Sequence, residues 1–222
     1  MPPPAEKPGP TELLPRGDPG DDHTQPVLRG DRDHQHHPAL RIPPPHEIPG
    51  DTGKVHAEID QVIGWHRSPS VDDQARMPHT NAVIHEVQRF GDVIPMGLQH
   101  AVTRDTRFRG FLLPEGTNII PLLFSVHNNP GQFKDPATFG PAHFLDPRGG
   151  FRKHDAFMAF STGKRICLGE GLARMELFLF FTAILQSFAL TSLARPEEIV
   201  ILPLMSGLGN VPGPYEFRAV PR

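Results

Sequence analysis

One cysteine, one tryptophan and one tyrosine stand in 222 residues. A single cysteine excludes an internal disulfide framework and suits a reducing compartment. Long apolar runs are missing too. The longest, Leu177 to Leu185, is far short of the 18 or more residues that read as a membrane span. Neither charge sign dominates: the formal net charge of −3 gives no strong pull toward nucleic acid. The polar, proline-bearing start does not read as a secretory signal. The length allows one domain with a real core.

Proline is plentiful, and unevenly so. Thirteen of the 27 prolines fall in the first 53 residues, where neither helical nor strand periodicity is visible. Pro2-Pro3-Pro4 and Pro43-Pro44-Pro45 favour extended, unbonded backbone. With few aromatic or β-branched residues, residues 1–53 cannot bury enough surface to offset their ordering entropy, and they read as a disordered segment. His34-Gln35-His36-His37 is the one feature there that suggests metal. Without a cysteine partner it reads as adventitious binding rather than a site.

From Lys54 the character changes, and residues 54–222 read as the folded part. Val55, Ile59, Val62 and Ile63 recur at helical spacing, and Gly64 ends the run. Arg67 to Met77 is polar and turn-bearing. Pro78 opens a second helix to Phe90, with Ala82, Val83 and Val87 on one face; Glu86 and Arg89 pair on it at i, i+3. Such a pair is common and usually a surface contact worth little. Val93 to Val102 reads as a strand broken by Pro95 and Gly97. Arg107 to Leu113, a turn at Pro114-Glu115-Gly116 and Thr117 to Ile120 read as strand, turn, strand. Leu172 to Phe188 is apolar nearly all round, which predicts a buried helix. Ile199 to Pro221 reads as a hairpin-rich β tail.

The one cysteine sits in Phe160-Ser161-Thr162-Gly163-Lys164-Arg165-Ile166-Cys167-Leu168-Gly169-Glu170. An arbitrary cysteine is most often a small buried hydrophobe. Its neighbours argue otherwise. Given 15 Phe and 21 Gly in the chain, this Phe, Gly, Arg and Gly pattern would surround a cysteine by chance roughly once in 20,000 times. Each neighbour has a separate job if Cys167 is a thiolate on heme iron. Gly163 permits a tight turn, and Gly169 lets the backbone approach a porphyrin. Arg165 reaches a propionate with a charge-assisted fork. Phe160 shields the sulfur, and the helix that follows points its positive end at it. A cysteine nucleophile is the remaining option, with His154 as a loose partner.

This loop resembles the heme-binding loop of the cytochrome P450 family, F-x-x-G-x-R-x-C-x-G. The resemblance covers about Lys54 to Arg222 and is closest to the mammalian subfamily 2D enzymes. It implies a mainly α fold with small β-sheets (α+β), forming the C-terminal part of that family's domain. It makes Cys167 the axial ligand of heme (iron protoporphyrin IX). Glu86-Val87-Gln88-Arg89 becomes a structural lock against Phe139-Gly140-Pro141-Ala142-His143-Phe144, where His143 replaces the family's usual Arg. His100 matches a propionate-binding position and reads equally as an ordinary strand histidine. Val93 to Leu98, and the turn near Leu204 to Leu208, would face the substrate.

The implied activity is monooxygenation of a small lipophilic substrate, with electrons from an NADPH-dependent flavoprotein reductase. The implied place is the cytosolic face of the endoplasmic reticulum, in xenobiotic metabolism. Arg152, Lys153, Lys164 and Arg174 read either as its docking face or as plain solvated charge. The family's distal helix should lie just before Lys54, yet five prolines stand from Pro38 to Gly53, and each costs a helix interior about 3 kcal/mol. The family's propionate-clamping helix, roofing helices and membrane anchor are not found either. The alternative reading is therefore a truncated, non-catalytic polypeptide with impaired heme binding, its first 53 residues read from another frame or an aberrant exon.

Overall fold

The computed structural model describes residues 27–29, 49–195, 198 and 203–222. Helix α1 spans Pro49–Val62. It begins inside the segment expected to lack structure, because proline at the first helical position gives up only an N–H that has no intrahelical partner. The exclusion of helix by proline therefore fails from Pro49 onward. Val55, Ile59 and Ile63 bury one stripe. Gly64, at φ +71°, closes the helix by bonding its N–H to the Ile59 carbonyl at 2.9 Å.

Helix α2, Pro78–Gly91, is the central element and is buried along most of its length. A 3-10 turn, Val71–Arg76, leads into it under a Ser70–Asp73 capping box. Asp73 is buried and takes Arg67 at 2.6 and 2.7 Å and Arg76 at 2.6 Å. The Arg67 guanidinium foremost holds its carboxyl well below the usual range. Met77 gives α2 no side-chain cap. Glu58 of α1 supplies one, accepting the His79 and Thr80 N–H groups and the Thr80 hydroxyl at 2.7–2.8 Å.

Two cores flank α2. On one side Val83, Ile84 and Val87 pack with Val55 and Ile59 of α1 and with Phe178 and Leu185 of helix α4, Glu170–Ser187. On the other, Ala82 meets Phe133, Ala156, Phe157 and Phe144, the last residue of the 3-10 turn Pro141–Phe144. Val126 of helix α3, Leu123–His127, packs against this second core. The predicted all-round burial of the long apolar helix is not observed. Only Phe178, Thr182 and Leu185 of α4 are buried, whereas Leu172, Met175, Phe180 and Ile184 are exposed. Apolar composition reports what a helix can bury; neighbours decide what it does bury.

The strands are short. β1, Val27–Arg29, pairs with β9, Glu216–Pro221, which also pairs with β6, Phe188–Ser192. β1 is a second correction to the disordered segment: a three-residue edge strand has no periodicity to read and is held by backbone bonds to the far end of the chain. The remainder of that segment, with the His34-Gln35-His36-His37 tract, lies outside the described residues.

Between α2 and α3 the predicted pairing also shifts. β3, Thr106–Phe108, and β4, Phe111–Leu113, form a hairpin through Arg109 and Gly110, both at positive φ (49° and 89°). The turn at Pro114-Glu115-Gly116 instead leads to β5, Asn118–Ile119, which pairs with β2, His100–Ala101. Val93 to Leu98 is irregular. A last hairpin joins β7, Met205–Ser206, to β8, Asn210–Val211. Helices with several small sheets make the expected mainly α, α+β class.

Candidate functional site

Helix α2 carries the lock. Glu86 and Arg89 are almost wholly enclosed, so this is no surface pair. Arg89 donates to Glu86 through Nε at 2.8 Å and Nη2 at 2.6 Å. Its remaining donors reach the carbonyls of His127, Pro136 and Thr138 at 2.9–3.3 Å, tying α3 and the following loop to α2. Glu86 also accepts the Gly140 N–H at 2.8 Å and His143 Nδ1 at 3.1 Å. His143 Nε2 lies 2.7 Å from the Lys134 carbonyl. Both ring nitrogens face oxygens that only accept, so the arrangement calls for imidazolium. The bond to Glu86, above all, raises the His143 pKa.

The cysteine loop stands at the mouth of α4. The Cys167 N–H returns to the Phe160 carbonyl at 2.9 Å and closes the loop, while the Glu170 N–H bonds the Cys167 carbonyl at 3.3 Å. Ser161 and Gly163 both sit at φ +66° and make the sharp bends. Gly163 thus needs its freedom. Gly169 does not, since its φ is −86°. What glycine provides there is space, because a Cβ would stand 3.8 Å from Cys167 Sγ.

Cys167 is exposed, which overturns the reading as a buried hydrophobe. The nucleophile option loses its base as well. His154 Nε2 donates to the Gln132 carbonyl at 3.0 Å and Nδ1 accepts the Ala156 N–H at 3.2 Å. Around the sulfur, Ile166, Leu168 and Leu172 are uncovered, Leu168 at 103 % exposure. Arg165 is exposed at the same loop. On β2, His100 keeps a buried Nδ1 with no hydrogen-bond partner among the described residues. An open thiol, a glycine in place of a side chain beside it and exposed apolar residues in the same segment fit a flat, apolar ligand such as heme.

Other expected residues divide. Arg152, Lys153 and Lys164 are exposed, as docking or solvated charges must be. Arg174 is not free: it is partly buried, bonds Glu170 at 2.9 Å and contacts His85 of α2. His85 had no sequence signal; the Glu170–Arg174 pair had one, its i, i+4 spacing. Strand β8 meets the segment after α2, with the Asn210 N–H 2.9 Å from the Val93 carbonyl. No cluster of three or more potential metal-ligating side chains occurs among the described residues.

Comparison with known proteins identifies the family. Residues 49–219 match the family described as Cytochrome P450. The chain is 61% identical over 163 residues to Cytochrome P450 2F3 of Capra hircus, covering 73% of this chain and 33% of that protein. It is 58% identical over 170 residues to Cytochrome P450 2G1 of Rattus norvegicus, covering 77% and 34%. Cytochrome P450 2B4 of Oryctolagus cuniculus is 54% identical over 176 residues, covering 79% and 36%. The chain thus spans about a third of the length of these curated relatives. These three relatives carry family 2 names in subfamilies 2F, 2G and 2B, and none of the three is of subfamily 2D. With its family match over residues 49–219 and relatives this similar, the chain belongs to the cytochrome P450 family, whose members bind heme.

Proposed function

We propose that this chain is the heme-thiolate part of a monooxygenase that inserts one atom of O2 into a small lipophilic substrate. Its electrons come from an NADPH-dependent flavoprotein reductase at the cytosolic face of the endoplasmic reticulum, and its role is in xenobiotic metabolism. The observation that carries this is the single cysteine, exposed at the mouth of α4 on a loop closed by its own backbone. Bound heme supplies the oxygen-splitting chemistry, which a thiolate ligand favours.

The chain's residues bind and orient. Cys167 Sγ would hold the heme iron, and Gly169 leaves the space beside it open. Phe160 stands behind the loop. Arg165 and the His100 Nδ1, which has no hydrogen-bond partner among the described residues, would take the propionates. Glu86, Arg89 and His143 hold the layer beneath. Val93 to Leu98 and the β7–β8 turn line the substrate side. Arg152, Lys153 and Lys164 form the basic face for an acidic reductase. Placement in subfamily 2D within family 2, and the division into segments 1–53 and 54–222, belong to the same proposal.

A second reading, a non-catalytic polypeptide with impaired heme retention, is favoured by one feature. Among the described residues nothing covers Ile166, Leu168, Leu172 and Met175, and exposed apolar surface of this kind invites association. One experiment separates the two. The chain is expressed with heme supplied, and the reduced carbon-monoxide spectrum is recorded for the wild type and Cys167→Ala. A thiolate-type band lost in the variant supports ligation, whereas identical spectra remove it. NADPH-driven turnover by the wild type would dismiss the second reading.

A further inference from the structure

Behind the cysteine loop lies a bracket that the lock and the ligand do not explain. His85 is buried on α2 among the rings of Phe144, Phe151 and Phe157, with centroids 4.6–5.4 Å away. Its Nδ1 is 2.8 Å from the Asn81 carbonyl, one turn back. A carbonyl only accepts, so Nδ1 carries the proton and Nε2 presents a lone pair. Arg174 Nη1 donates to that lone pair. Burial, the largest influence, pushes the His85 pKa down to about 4, which keeps the ring a neutral acceptor.

The same guanidinium bonds Glu170 in the first turn of α4, through Nε at 2.9 Å and Nη2 at 2.7 Å. Its carbon lies 5.5 Å from the Phe157 ring centroid and 5.3 Å from that of Phe160. Phe160 is the residue whose carbonyl takes the Cys167 N–H. One cation therefore touches α2, the start of α4 and the residue that closes the loop.

We propose that Arg174, seated on the neutral His85 acceptor, is a positioning residue that fixes Phe160 and through it the backbone of Cys167. The bracket stands on protein contacts alone; only its spectroscopic consequence rests on the thiolate reading above.

The test uses the whole chain. Without heme, amide hydrogen exchange is followed at Cys167, whose N–H bonds Phe160, and at Gly140, whose N–H bonds Glu86. His85→Phe keeps the ring and removes the acceptor; Arg174→Met removes the donor. Each is expected to speed Cys167 exchange about tenfold while leaving Gly140 unchanged, and the double variant is expected to go no further than either single one. Equal acceleration at both amides, unchanged exchange at Cys167, or additive effects would overturn the proposal. Should Arg174→Met fail to fold, Arg174→Lys keeps the charge without the fork, and the same comparison decides. With heme supplied, the bracket variants should retain a thiolate-type band but lose it faster over time than the wild type. Equal lifetimes would count against the bracket, whereas a wild type with no such band, alongside selective exchange at Cys167, would sink the ligand reading and leave the bracket standing.

Discussion

Glu86 accepts from Arg89, Gly140 and His143 without contact with solvent, so its charge depends entirely on those donors. Glu86→Ala leaves Arg89 uncompensated inside the fold and should cost about 3–5 kcal/mol of unfolding free energy in a denaturant titration. His143 carries a testable sign. Its folded pKa lies above the ordinary value of 6.5, so its contribution is complete below that value and is lost as pH rises through the folded pKa. Stability should therefore fall as pH rises from 6.5 through the folded pKa in the wild type and stay flatter in His143→Arg, whose charge persists. At the loop, Gly169→Val should fold normally, because φ there is ordinary, yet take up less heme in a Soret titration.

Among the elements, α2 depends most on help from outside itself. Its first residues have no cap of their own, and Glu58 reaches across from α1 to serve them. Glu58→Ala should destabilise the fold by about 1 kcal/mol, read from the denaturation midpoint. The helices were the readable elements. Apolar spacing and Pro78 locate α1 and α2 to within a few residues, because a 3.6-residue period needs no knowledge of neighbours. The sheets were not. Strands β2 and β5 owe their identity to a partner rather than to alternation, and the β3–β4 hairpin turns on two left-handed residues that Arg-Gly does not announce. The exposure of α4 escaped for the same reason: its sequence is apolar on every side, while only one stripe meets α1 and α2.

For the whole molecule, buried histidine sets the acid limit. His85 is held to about 4 against an ordinary 6.5, so the fold keeps the full benefit of the neutral ring above 6.5 and loses it as pH falls toward 4, by about 3 kcal/mol in total. Asp73, held below its ordinary 3.8, adds a further loss at lower pH. Unfolding free energy should thus decline between pH 6.5 and 4, and the decline should be shallower in His85→Phe. The lone cysteine, its glycines and arginine, and the helices beside it were determined by sequence alone, because a ligand loop is a local pattern of residue types at fixed spacing. The long-range contacts were not. That the lock is buried rather than superficial, that His143 must carry charge, that Glu58 caps a helix 21 residues on, and that Arg174 faces inward to His85 follow from which segments meet in space. A side chain's burial and its donors belong to that meeting, and tertiary structure alone decides them.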